Sequence, residues 1–267
     1  MDRRTTVAGK VKALAWLALS VAGFGAEVRV TDRILPLVQD GGGFSTSITI
    51  VNLESTTSSF EVLFLSNAGA LWEVKVSGPA SVISDGAYVR GTLGAGRSVT
   101  FQTTGAGSDL GSGHAKLFSL ENARLGVDMT VKRDGAAWSF TVCPEREDTL
   151  ILPFDNTDGA GTSFLWLSDT PFTLVNYRVV AEDGTQLLQG RYQFTLSNSL
   201  VQDMFVLADR MPETAGRRGT VELQIDYPNA GIYDELYFTG LAIQTGASGL
   251  PVVKPSMSTA TWRAARY

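Results

Sequence analysis

Asp40-Gly41-Gly42-Gly43-Phe44-Ser45-Thr46-Ser47-Ile48-Thr49-Ile50-Val51-Asn52, introduced by Leu35-Pro36, decides the fold, because the chain says it twice. In the second half Leu152-Pro153 leads to Asp158-Gly159-Ala160-Gly161 and then to Thr162-Ser163-Phe164-Leu165-Trp166. Each copy is an acidic, glycine-rich turn entering a Thr-Ser-apolar strand. Glycine supplies the positive φ that tight turns need, and aspartate bonds its own backbone. Self-similarity of this kind identifies a repeated structural unit before any single element is assigned.

The correspondence extends along the chain. Asn67-Ala68-Gly69 answers Glu182-Asp183-Gly184 as a hairpin turn, and Thr92-Leu93 answers Thr195-Leu196. Gly113-His114-Ala115-Lys116-Leu117 answers Gly219-Thr220-Val221-Glu222-Leu223, and the halves close on Phe140-Thr141-Val142-Cys143-Pro144 and Pro251-Val252-Val253-Lys254-Pro255. Spacing between counterparts drifts from 117 to 103 and back to 111 residues, as expected when loops change length and strands do not.

Between the turns the pattern has period two. Phe60, Val62 and Phe64 alternate with Glu61, Leu63 and Leu65; Trp72, Val74 and Val76 with Glu73 and Lys75. Leu125, Val127, Met129 and Val131 alternate with Gly126, Asp128 and Thr130, and Val221, Leu223 and Ile225 with Glu222, Gln224 and Asp226. Short alternating runs separated by Gly, Asn and Asp, with no helical stretches between them, specify an all-β sandwich or barrel. Leu200 to Met211 reads equally as strand or as helix, with Leu200, Met204 and Leu207 on one side of the latter.

Residues 1–26 read as a secretory signal peptide. Arg3, Arg4, Lys10 and Lys12 precede an apolar run from Ala13 to Phe24, and small residues crowd Ala22 to Ala26. Gly23 and Ala26 are alternative last residues of the signal. The expected organisation is therefore all-β, with two tandem β-sandwich domains of about 110 residues each: 27–147 and 148–256, followed by a flexible tail at 257–267. The charged stretch Glu145-Arg146-Glu147-Asp148 marks the boundary.

At the level of motif, Leu35-Pro36 with Asp40-Gly41-Gly42-Gly43-Phe44-Ser45-Thr46-Ser47 and Ile48-Thr49-Ile50-Val51-Asn52 resembles tandem immunoglobulin- or fibronectin-III-like β-sandwich modules of exported soil-bacterial proteins, a group largely without assigned function. The likeness covers nearly all of residues 33–256. It weakens in the second copy, where Ser168-Asp169 stands in place of Asn52-Leu53. The resemblance implies an extracytoplasmic module and brings no catalytic residue with it.

Composition narrows the chemistry. The 267 residues include one His, one Cys and a formal charge of −5. Removing residues 1–26 takes away Arg3, Arg4, Lys10, Lys12 and Asp2, leaving −8. No basic block exists to displace counterions from phosphate, so no nucleic-acid partner is expected. One Cys and one His supply neither an internal disulfide nor a Cys/His zinc site. Cys143 reads as a buried thiol or as a residue available for intermolecular pairing. No later segment reaches 18 consecutive apolar residues, so no helical membrane span is expected after the signal is removed.

Several candidate sites remain. His114, the one imidazole, is expected in a solvated turn, with no Gly-x-Ser-x-Gly elbow beside it. Asp155-Asn156-Thr157-Asp158-Gly159 offers oxygen ligands but lacks EF-hand spacing, so turn capping explains it better than calcium. Trp72 and Trp166 are expected in the core. Tyr227 and Tyr233, flanking Pro228-Asn229-Ala230-Gly231, are the ligand-binding candidates, because flat amphipathic rings stack on sugars. No catalytic, cofactor or metal residue is assigned, and the chain is read as non-enzymatic. The expected role is a structural, adhesive or protein-interaction module, secreted, periplasmic or at the cell surface, with a protein or cell-surface polysaccharide as partner. A carbohydrate-binding module using loop aromatics is one alternative, and a weak glycoside-type hydrolase with paired carboxylates is another.

Overall fold

Alternating apolar and polar residues become strands wherever a neighbouring strand supplies backbone partners, and this chain is built almost entirely that way. The computed structural model describes residues 31–119, 123–142, 149–168, 174–193, 201–226, 238–245, 251–255 and 257–258. The first half contributes β1 (Thr31–Asp40), β2 (Phe44–Asn52), β3 (Ser58–Ser66), β4 (Val76–Ser77), β5 (Val82–Asp85), β6 (Tyr88–Leu93), β7 (Ser98–Thr103), β8 (Gly111–Ser119), β9 (Leu125–Arg133) and β10 (Ala136–Thr141). The second contributes β11 (Thr149–Asp155), β12 (Gly161–Ser168), β13 (Leu174–Ala181), β14 (Gln186–Gln193), β15 (Val201–Val206), β16 (Arg218–Asp226), β17 (Phe238–Thr245), β18 (Pro251–Pro255) and β19 (Met257–Ser258). A single helical turn, α1 (Leu207–Arg210), and a 3-10 turn at Pro212–Thr214 follow β15.

All strand pairs among the described residues are antiparallel, and the pairing order repeats. The first half forms the sheets β1-β8-β3-β6-β5 and β10-β9-β2-β7-β4. The second forms β19-β11-β16-β13-β14 and β18-β17-β12-β15. Eight strands thus correspond one to one, β1 to β11, β2 to β12, β3 to β13, β6 to β14, β7 to β15, β8 to β16, β9 to β17 and β10 to β18. Register repeats too: Leu35 faces Ala115 as Leu152 faces Val221, and Ile48 lies between Met129 and Phe101 as Phe164 lies between Ala242 and Phe205. Among the described residues β4 and β5 have no second-half counterpart, because β13 turns directly into β14 through Glu182-Asp183-Gly184. The spacing between counterparts contracts at that point of the sequence.

Glycine sets the approach of the central strands. A Cβ on Gly113 would stand 2.1 Å from the Leu65 carbonyl oxygen, and one on Gly219 would stand 2.0 Å from the carbonyl of Val180. The two positions are equivalent, each in the strand sandwiched between β1 and β3 or between β11 and β13. At the β9–β10 hairpin, Asp134 and Gly135 both take positive φ, 46° and 87°, as a two-residue turn between right-twisted strands requires.

Two buried apolar clusters result. Ile48, Ile50, Phe60, Val62, Phe64, Phe101, Leu117 and Met129 anchor the first; Leu152, Phe154, Phe164, Trp166, Val179, Val221 and Leu223 anchor the second. The first cluster is completed by residues of the second half: Leu165, Leu167 and Leu241 are buried in it, with Ile243 packed alongside. Accordingly β1 lies against β12 and β17, and β10 against β18. The run Phe164-Leu165-Trp166-Leu167 is apolar without interruption because its alternate residues enter different cores.

Three local expectations change. Trp72 and Val74 lie in an irregular segment between the Leu65–Leu71 bridge and β4, so of that alternating run only Val76 is in a strand. Val74 is still buried, and the six-membered ring of Trp72 covers Gly111 and Gly113, where a Cβ would meet it at 2.5 and 2.9 Å. Leu200 to Met211 divides: Val201–Val206 is drawn into strand pairing with β12, and the helical turn begins only at Leu207. His114 is fully buried within β8, opposite Leu65, and is not a solvated turn residue. The β3–β8 pairing extends to Gly113, which places His114 inside the sheet.

Candidate functional site: the two outer sheet faces

A sheet in a two-layer fold has one face committed to the core and one available to a partner. In the sheet β10-β9-β2-β7-β4 the residues pointing away from the core are Ser47, Thr49, Thr100, Gln102, Asp128, Thr130 and Ser139, alternating with buried Ile48, Ile50, Phe101 and Met129. Their side chains pair across strands. The Thr49 and Thr100 hydroxyls are 2.8 Å apart, and those of Thr130 and Ser139 are 2.7 Å apart. One cross-strand row, Ser139–Thr130–Ser47–Gln102–Ser77, traverses all five strands. The face is polar and open: Thr100, Gln102, Asp128 and Ser139 are exposed.

The equivalent face of the second half has the opposite chemistry. By register, Thr49 becomes Leu165, Asp128 becomes Leu241 and Thr130 becomes Ile243. Thr100 becomes Met204 and Gln102 becomes Val206. Leu165 and Leu241 are buried against the first half, whereas Met204 and Val206 are 62% and 43% exposed. Neither face was identified in the sequence. The signal was there in the divergence of aligned positions, but reading it requires the register.

The opposite side of β15 belongs to an aromatic group in the second core. Trp166 makes edge contacts with Phe205 and Tyr192, at centroid distances of 4.8 and 5.5 Å. Arg210, reaching back from α1, sits 3.7 Å from the Phe205 ring centre and 5.4 Å from that of Tyr192. Trp166 is fully buried and Trp72 partly buried, so both expected core tryptophans pack inward. Tyr227, Tyr233, Cys143, residues 1–26 and the 144–148 boundary lie outside the described residues.

The turns hold their oxygens in structural bonds. Asp155 accepts the N–H and hydroxyl of Thr157, at 3.1 and 2.6 Å, and pairs with Arg218 at 2.9 Å. The Thr157 hydroxyl, its N–H and Arg218 hold the Asp155 carboxyl below the usual aspartate range, against a smaller opposing effect of burial. Asn156 accepts the Thr162 N–H and donates to Thr214. The Asp183 carboxyl is lowered chiefly by the Thr185 N–H, and that of Glu54 by the Arg124 N–H and then its guanidinium. Glu222 is gripped by Arg178 through two nitrogens, and buried Glu61 pairs with Arg90. Among the described residues no three His, Cys, Asp or Glu side chains gather where one metal ion could sit, and no helix is long and apolar enough to cross a membrane.

Fold and faces together define the class: an all-β chain of layered antiparallel sheets, its pairing order repeated, with one outer face hydroxylic and its counterpart apolar. No family model, curated protein or solved structure matches the chain.

Proposed function

We propose that the protein is an exported, non-enzymatic module with a structural, adhesive or protein-interaction role at the cell surface or in the periplasm. On this reading residues 1–26 are removed on export. The remainder comprises two tandem β-sandwich domains, 27–147 and 148–256, of the immunoglobulin- or fibronectin-III-like kind that the repeat motif resembles. The observation that supports the reading is the contrast between equivalent outer faces. The second half has exchanged Thr49, Asp128 and Thr130 for Leu165, Leu241 and Ile243 to pack against the first. The first half keeps the same area polar and open. A rigid sheet presenting rows of hydroxyls can hydrogen-bond a protein or a polysaccharide over many weak contacts at once, without a cleft.

The test combines location with retention. N-terminal sequencing of the protein recovered outside the cytosol should begin after residue 23 or 26. Isolated cell envelopes should retain the chain, and Thr49→Arg with Thr100→Arg should reduce retention about tenfold, equivalent to about 1.4 kcal/mol. Protease pretreatment of the envelopes identifies a protein partner, and periodate oxidation a polysaccharide. Cytosolic recovery, or retention indifferent to both substitutions, overturns the reading.

A further inference from the structure

The apolar outer face of the second half is larger than the first half covers. Leu165, Leu167 and Leu241 are buried by it, but Met204 and Val206, on the same face one strand further out, are not. These two stand where the first half has Thr100 and Gln102. The intramolecular contact therefore accounts for Leu165, Leu167, Leu241 and Ile243 and leaves Met204 and Val206 without a reason to be apolar. They lie on β15, which ends its sheet, whereas its counterpart β7 is flanked by β4. Among the described residues nothing pairs with the free edge of β15. An exposed edge strand bearing apolar side chains templates pairing with another strand, and proteins that do not use such an edge usually protect it with charge or a covering element. Leu53, Leu71, Ile83 and Leu110 are also exposed, but none continues an apolar interface.

We infer that β15 is a self-association edge, at which a second copy of this chain adds its own β15 antiparallel. A two-fold axis through the strand pair makes the contact self-complementary. The backbone groups of each edge satisfy the other, and Met204 and Val206 of one copy cover Met204 and Val206 of its partner. The apolar face that begins at Leu241 then continues across the axis without a break. The opposite side of β15 is already fixed by Phe205 against Trp166 and Arg210. The hydroxyl face of the first half takes no part, so this proposal is independent of the function proposed above.

Sedimentation velocity on the purified protein should reveal a dimer whose population rises with concentration. Met204→Lys with Val206→Lys should return it to monomer with an unchanged circular dichroism spectrum, since both side chains are exposed, and its melting temperature should no longer rise with protein concentration. In a Cys143→Ser background, Met204→Cys should be captured as a homodimer by a short bismaleimide, while Thr100→Cys should not. A monomer at every concentration, a dimer that survives both lysines, or equal cross-linking at positions 100 and 204 overturns the proposal.

Discussion

The hydroxyl of Thr46 bonds both backbone groups of Gln39, accepting its N–H at 2.8 Å and donating to its carbonyl at 2.8 Å. Thr162 does the same to Asp155, again seven residues earlier, at 2.9 Å for each bond. Both threonines are fully buried. The repeat thus preserves a clasp that pins the end of one strand to the start of a strand in the facing sheet, across the glycine-rich turn. Valine has threonine's shape without its hydroxyl, so Thr46→Val or Thr162→Val would remove the partner of a part-buried N–H, and at Asp155 of its carbonyl too, while the Gln39 carbonyl keeps the Thr103 hydroxyl. Each should lower stability by about 1–3 kcal/mol in urea titrations, and serine at either position should restore most of it.

Gly113 and Gly219 are predicted to tolerate no side chain. Replacing glycine in an extended strand with alanine is ordinarily neutral or favourable. Here the new Cβ would stand about 2 Å from the Leu65 or Val180 carbonyl oxygen, and the adjoining strands would have to part. Gly113→Ala and Gly219→Ala should each cost at least about 1–3 kcal/mol, as overpacking does. Gly161→Ala is the control, since its nearest neighbour is the Thr245 hydroxyl at 3.4 Å and thermal melting should change little.

Asp155 should make the turn between β11 and β12 sensitive to acid. Its carboxyl is held below its ordinary value, first by the Thr157 hydroxyl and then by the Thr157 N–H and Arg218. A lowered carboxylate stabilises the fold above the unfolded-state value, about 3.9, and that contribution is lost as pH falls through the lower folded value. Asp155→Asn should therefore be less stable than the wild type at neutral pH. The gap should narrow below about pH 4 and close in stronger acid, as followed by denaturation midpoints from pH 2 to 7. A constant gap would mean the asparagine perturbs the turn by shape alone.

The sequence made the repeat legible because Leu-Pro, the glycine-rich turn and Thr-Ser are local and chemically demanding. Thr46 and Thr162 form the clasp, and Gly113 and Gly219 permit the close approach, so both pairs recur at equivalent positions of the two halves. What was not legible depends on pieces distant in sequence. Nothing local marks His114 as buried; the extension of the β3–β8 pairing to Gly113 does that. Trp72-Glu73-Val74 alternates like a strand, yet the segment must cross from one sheet to the other, and of the alternating run only Val76 enters a strand. Val201 to Val206 has apolar spacing compatible with a helix, but the open edge of β12 outweighs the propensity of an isolated segment. The candidate surfaces emerged only when register aligned Thr49 with Leu165 and Thr100 with Met204, because a single strand does not disclose what its outer face meets.

The same alignment supplies the sharpest test of how the halves depend on each other. Leu165 and Leu241 fill the first core from the second half, and the first half's own residues at those places are Thr49 and Asp128. Leu165→Thr with Leu241→Asp therefore installs residues that the repeated strands demonstrably accept, while removing the apolar contact. Burial of each leucine is worth about 1.5–3 kcal/mol, and a carboxylate cannot remain at the second position without water or a partner. The variant should open the contact between the halves and uncover part of the first cluster. Calorimetry should register one cooperative transition for the wild type. For the variant it should register two, with the first half melting at the lower temperature because it loses part of its core. A wild type that already melts in two independent steps would mean that Leu165, Leu167 and Leu241 do not couple the halves energetically.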